Sequence, residues 1–220
     1  MNRVIAIDGP SGAGKSTIAK LLAQDLGYEY LDTGALYRAV ALGLLRLGLN
    51  EDAGDQEIAA ALEKIEVSFR QGKVFLNHKD VSDEIRSPEA SHFASVFSAH
   101  RLVRSLLLDI QREALQHADL VAEGRDMTTV VFPSAYRKFY LDASAEERAE
   151  RRTLEMQAKG YEVSKEKIHL DILERDARDS GRDIAPLRKA EDAVLIDSTG
   201  MSVQDVFRKI LRIIRQDEQA

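Results

Sequence analysis

Gly9-Pro10-Ser11-Gly12-Ala13-Gly14-Lys15-Ser16 fits the pattern G-x-x-x-x-G-K-[ST], and its flanks decide the fold class. Before it, Arg3-Val4-Ile5-Ala6-Ile7 is the short β-branched apolar run that a buried parallel strand requires. After it, Thr17 to Leu26 places Ile18, Leu21, Leu22 and Leu26 at helical spacing. Strand, glycine loop and helix is the order that turns consecutive backbone N–H groups into one anion-binding concavity at a helix N-terminus. Lys15 then supplies a cation for β and γ phosphates, and the Ser16 hydroxyl is a hard ligand suited to Mg²⁺.

The remaining chain reads as more strands and helices built around this unit. Tyr28 to Leu31 is a second short strand ending in Asp32-Thr33-Gly34, followed by an apolar-rich helix over 35–49 carrying Tyr37 and Arg38. Further strands are expected at Leu120 to Glu123, Lys138 to Leu141 and Ala193 to Ile196. Ser87-Pro88, Ser144 with Glu147, Ser164 and Ser202 mark helix starts, and a break is expected near His100. Between Val67 and Asn77 the alternation around Gln71-Gly72 predicts a small antiparallel hairpin, with a third strand over 81–86. The expected fold is α/β: a three-layer sandwich with a five-stranded parallel sheet, a small antiparallel β insert and a helical lid.

Composition narrows the function classes. A net charge of −6 argues against a general binder of nucleic-acid polymers or anionic membranes. With no cysteine, zinc–thiolate sites and a cysteine nucleophile are excluded. No apolar run approaches the length of a membrane span, and no export signal is read, so a cytoplasmic protein is expected. The five histidines show no metal spacing.

A phosphate loop alone does not separate kinases from GTPases, motors or nucleotide-gated regulators. Asn77-His78-Lys79-Asp80 lacks the spacing of a guanine-reading motif and reads as a turn. Arginines carry more information. Arg148, Arg151 and Arg152 share a helix face, and Arg175, Arg178 and Arg182 follow at spacings of three and seven. Guanidiniums of this kind stabilise the charge spread over a transferring phosphoryl group. Arg38 and Arg125 follow strands, where open parallel sheets bind ligands, and favour an acceptor that is itself a phosphate monoester. Asp126 is a candidate to read a base edge; Asp32 and Asp126 are both candidates to hold Mg²⁺ or its waters. No general base is strictly required, because a phosphate oxygen is already a nucleophile.

Ile7-Asp8-Gly9 through Ser16, Leu31-Asp32-Thr33-Gly34-Ala35-Leu36-Tyr37-Arg38, Glu123-Gly124-Arg125-Asp126, Thr129-Val130-Val131-Phe132-Pro133, Ala185-Pro186-Leu187 and Asp197-Ser198-Thr199 together resemble the bacterial cytidylate kinase family, in order and over most of the chain. The resemblance implies a nucleoside monophosphate kinase that moves the γ-phosphoryl of MgATP to CMP or dCMP. The expected partners are these small-molecule nucleotides, with no nucleic-acid polymer and no membrane, and a monomer is expected. Gly9, Pro10, Ser11, Gly12, Ala13, Gly14, Lys15, Ser16 and Thr17 would hold ATP. Ser95, Arg104 and Asp126 would contact cytosine, and Thr33, Arg38 and Arg125 the acceptor phosphate. Tyr37, Arg175 and Asp179 would take the ribose side, and Arg148, Arg152 and Arg182 the phosphates of the closed state.

A single kinase domain is expected, with core segments 1–57, 96–143 and 183–220, an acceptor-binding insert over about 58–95, and a lid over about 144–182 around Gly160. Two positions depart from the family pattern: Thr128 stands where glycine is usual, and Asp183 where a small neutral residue is common. The competing readings are another small P-loop kinase, acting on UMP or a phosphorylated metabolite, and a nucleotide-binding regulator without transfer activity.

Overall fold

The computed structural model describes residues 2–70 and 72–216. In chain order it contains β1 (Val4–Asp8), α1 (Lys15–Leu26), β2 (Glu29–Asp32), α2 (Thr33–Arg46), α3 (Asp55–Leu62), β3 (Val67–Arg70), β4 (Lys73–Leu76), β5 (Lys79–Asp80), α4 (Pro88–Phe97), α5 (Arg101–His117), β6 (Leu120–Gly124), β7 (Arg137–Asp142), α6 (Ala145–Ala158), α7 (Lys165–Ser180), β8 (Val194–Asp197) and α8 (Val203–Gln216). Two compact units emerge: one from 3–30 with 119–216, the other from 31–118.

The first unit is organised by a five-stranded parallel sheet in the order β2-β6-β1-β7-β8. β1 pairs in parallel with β6 on one side and β7 on the other. All five residues of β1 and all five of β6 are buried, which explains why both strands read as apolar runs without alternation. Ile5, Ile7 and Phe139 pack with Ile18 and Leu22 of α1 and Ile210 of α8 in one core. Removing such side chains from water supplies the main drive for docking these helices on the sheet. The α6–α7 hairpin carries a separate small core of Ala149, Met156, Ile168 and Ile172. Serine caps start both helices: Ser144 accepts from the Glu147 N–H and Ser164 from the Lys167 N–H.

In the second unit α2 packs on α4 and on β4. Asp32 caps α2 by accepting from the Ala35 N–H at 2.9 Å, so the helix begins at Thr33, two residues before its expected start. Ser87 caps α4 with Pro88 in the first turn, and the expected break at His100 separates α4 from α5. The β-hairpin forms as expected, but the third strand does not lie over 81–86. Asn77 and His78 both take positive φ, a two-residue reversal that returns the chain at once to pair Leu76 with Lys79 and Phe75 with Asp80. Glu84–Arg86 is instead a 3₁₀ turn.

Candidate active site

The phosphate loop is shaped by close approach. Gly9 has φ +147°, and a β-carbon there would lie 1.9 Å from the Leu141 carbonyl oxygen of β7. Only glycine lets the loop leave β1 along this path. At the start of α1 the Lys15 side chain is buried, and its Nζ donates to the Pro10 carbonyl at 2.7 Å. Burial and the nearby Arg125 push the Lys15 ammonium well below the ordinary lysine range.

Ser16 Oγ donates to Glu123 Oε1 at 2.6 Å, and Tyr30 Oη reaches the same oxygen at 3.2 Å. Glu123 lies near the end of β6, opposite Ile7 of β1. It was not among the sequence candidates. The signal that could have found it is a carboxylate near the end of an otherwise apolar buried strand. Asp32, one of the two aspartates considered for Mg²⁺, uses Oδ1 to cap α2 and Oδ2 to accept from Arg38 Nη2 at 3.2 Å.

A second concentration of charge surrounds Asp179 on α7. Arg125 Nε donates to Asp179 Oδ2 at 2.8 Å, while Arg175 and Arg182 stand 3.9 and 3.8 Å from its carboxylate. Burial disfavours charge on Asp179, but the three guanidiniums outweigh it and hold the carboxyl below the usual aspartate range. The same bond raises Arg125 despite its burial. The Asp179 carbonyl accepts from the Leu187 N–H and from Arg182 Nε, which ties the Ala185-Pro186-Leu187 segment to the end of α7.

Arg148 of α6 is buried and spans three elements. Its Nε donates to the Ala143 carbonyl, and its Nη1 reaches the Ser11 carbonyl of the phosphate loop at 3.0 Å and Asp176 Oδ2 of α7 at 2.6 Å. Arg152 is partly exposed and pairs with Glu155. Arg151 has different partners: it donates to the Ser198 hydroxyl and carbonyl and pairs with Glu147, bracing α6 on the loop after β8. Helical spacing could not reveal this, because it fixes the face of a residue and not its partner.

Asp126 is buried at the start of a π-helical segment, Met127–Val131, and its carbonyl accepts from the Val130 and Val131 N–H groups. In the second unit, Thr33 and Ser95 are buried. The Arg104 guanidinium lies 5.6 Å from the centre of the Tyr37 ring and donates to the Ser98 carbonyl at 3.2 Å. Ser98 Oγ in turn donates to the Ser95 carbonyl at 2.9 Å, so Ser95, Ser98 and Arg104 are linked across the α4–α5 break.

A glycine loop with a buried lysine, a hydroxyl at the first helical turn and buried arginines on the same unit defines a P-loop phosphotransferase. Residues 5–216 match the family model described as cytidylate kinase, and the chain belongs to that family. It is 50% identical over 216 residues to a cytidylate kinase of Thermotoga neapolitana, covering 98% of each chain. It is 48% identical over 221 residues to a cytidylate kinase of Geobacter sulfurreducens, covering 99% of this chain and 94% of that one. A solved structure of an uncharacterized protein from Eubacterium ventriosum shares the fold, with a TM-score of 0.56 at 13% identity over 98% of this chain and 99% of that one. The resemblance read in the motifs is borne out over nearly the whole chain.

Among the described residues no helix is long and apolar enough to cross a membrane.

Proposed function

We infer that this protein transfers the γ-phosphoryl group of ATP to CMP or dCMP, releasing ADP and the nucleoside diphosphate. The observation that carries the reading is the cytidylate kinase match over residues 5–216, with the phosphate-loop lysine and Arg125-Asp126 both present. Residues 9–17 cradle the ATP phosphates through backbone N–H groups, and Lys15 follows the charge that develops between β and γ oxygens. Arg125, Arg148, Arg152 and Arg182 stabilise the transferring group. Thr33, Arg38 and Arg125 hold the acceptor phosphate, Tyr37, Arg175 and Asp179 the ribose side, and Ser95, Arg104 and Asp126 the cytosine. A carboxylate suits the exocyclic amine, and a guanidinium suits the ring carbonyl and nitrogen.

The oxygen donors at Ser16 and Glu123 fit Mg²⁺ and would hold it in preference to Asp32, whose two oxygens cap α2 and pair with Arg38. When bound, Mg²⁺ neutralises charge on the β and γ phosphates. Segment 58–95 serves the acceptor, the α6–α7 hairpin around Gly160 serves as the lid, and the enzyme works as a cytoplasmic monomer. The test is a coupled ADP-release assay across CMP, dCMP, UMP, AMP and shikimate. Turnover is expected with CMP and dCMP; equal or better turnover of UMP would sink the cytosine assignment.

A further inference from the structure

Asp8 ends β1 and directly precedes Gly9, yet none of the roles above uses it. Its side chain is fully buried and both oxygens are engaged. Oδ1 accepts from the Met127 N–H at 2.8 Å; Oδ2 accepts from the Thr128 N–H at 2.7 Å and from the Thr128 hydroxyl at 2.6 Å. Those two N–H groups open the π-helical segment that follows Arg125-Asp126. One carboxylate at the root of the phosphate loop therefore caps the π-helical turn that directly follows Arg125-Asp126.

A glycine at 128 would leave Asp8 only the two backbone donors, whereas Thr128 supplies a third, charge-assisted bond from a side chain that is itself buried. The threonine causes no left-handed strain, because among the described non-glycine residues only Asn77, His78 and Ala185 have positive φ.

We propose that Thr128 is a positioning residue for phosphoryl transfer: its hydroxyl locks Asp8 so that the phosphate loop and the Arg125-Asp126 turn keep a fixed register. The lock requires an ionised Asp8, since a proton on Oδ2 would face the Thr128 N–H. Burial pushes Asp8 up to about 6, and the bonds from Thr128 and Met127 pull against that rise. Asp126 in the turn also disfavours charge on Asp8, Lys15 of α1 interacts favourably with it, and Tyr140 of β7 feels its negative charge.

This inference rests on the kinase reading and is tested with Thr128→Val, Thr128→Gly and Thr128→Ser. Two quantities are read: the Asp8 carboxyl midpoint by carbon NMR without nucleotide, and the acid limb of kcat for CMP. Loss of the hydroxyl in the valine and glycine variants should raise both by about one pH unit, with KM for ATP and CMP within about twofold; serine should restore wild-type values. The glycine variant stands if valine prevents folding, because it adds no bulk. Unmoved midpoints, or a serine variant that behaves like valine, would overturn the proposal. Wild-type protein that fails to phosphorylate CMP overturns the kinase reading instead, and that result is scored separately from the Asp8 midpoint.

Discussion

Arg125 Nε donates to Asp179 Oδ2 at 2.8 Å, joining the residue after β6 to the last turns of α7 through a carboxylate that is 2% exposed. With Arg175 and Arg182 also beside it, Asp179 is the anion that three cations surround. Removing it takes away the carboxylate that these three guanidiniums share. Asp179→Ala should lower stability by about 3 kcal/mol at pH 7. Because the folded carboxyl is held below its ordinary value, this contribution is present above the usual aspartate range and is lost as pH falls through the depressed folded value. Urea unfolding at pH 7 and in acid should show the wild-type advantage shrinking toward low pH; a constant difference would argue against the charge cluster.

The Ser16–Glu123 bond leads to a metal-dependence prediction. Glu123→Gln keeps the volume and one acceptor while removing the charge. It should raise the Mg²⁺ concentration for half-maximal ADP release by about tenfold or more, from a lost charge-assisted contact. A Mg²⁺ titration of initial rates checks this, and an unchanged midpoint with normal folding would exclude Glu123 from the metal's surroundings.

Lys15→Ala should act chiefly on kcat, lowering it by about a hundredfold or more while KM for ATP moves less, because charge on the transferring group changes during the reaction. Steady-state kinetics with both substrates varied make the comparison. A rise confined to KM would mean that Lys15 contributes equally to bound ATP and transition state.

Asp126→Ala should weaken the choice between CMP and UMP, whose bases differ at the amine that a carboxylate accepts from. The ratio of kcat/KM values should fall by about tenfold or more. If both substrates lose equally, Asp126 supports the turn and does not read the base.

Much of the site was legible because its chemistry depends on local pattern. The glycine loop, its lysine and the Arg125-Asp126 pair each follow a strand whose apolar run announces it. The capping serines were legible for the same reason, since a cap is satisfied within three residues. What escaped were pairings between segments far apart in the chain. Glu123 reads in sequence only as the end of a strand, whereas in the fold it accepts from Ser16. Arg151 shared a helix face with Arg148, yet one braces a loop and the other reaches Ser11 and Asp176. The third strand of the small sheet was misplaced because the Asn77-His78 reversal, read only as a turn, proved tight enough to start pairing at Lys79.

The sequence by itself determined the fold class, the phosphate loop and the family, because strand and helix periods, glycine spacing and motif order are properties of neighbouring residues. Only the tertiary structure decided which polar groups answer one another: Asp179 to its three arginines, Glu123 to Ser16, and Asp8 to Thr128. That choice is made where low dielectric and lost solvation leave each buried polar group dependent on the partner that packing brings within reach.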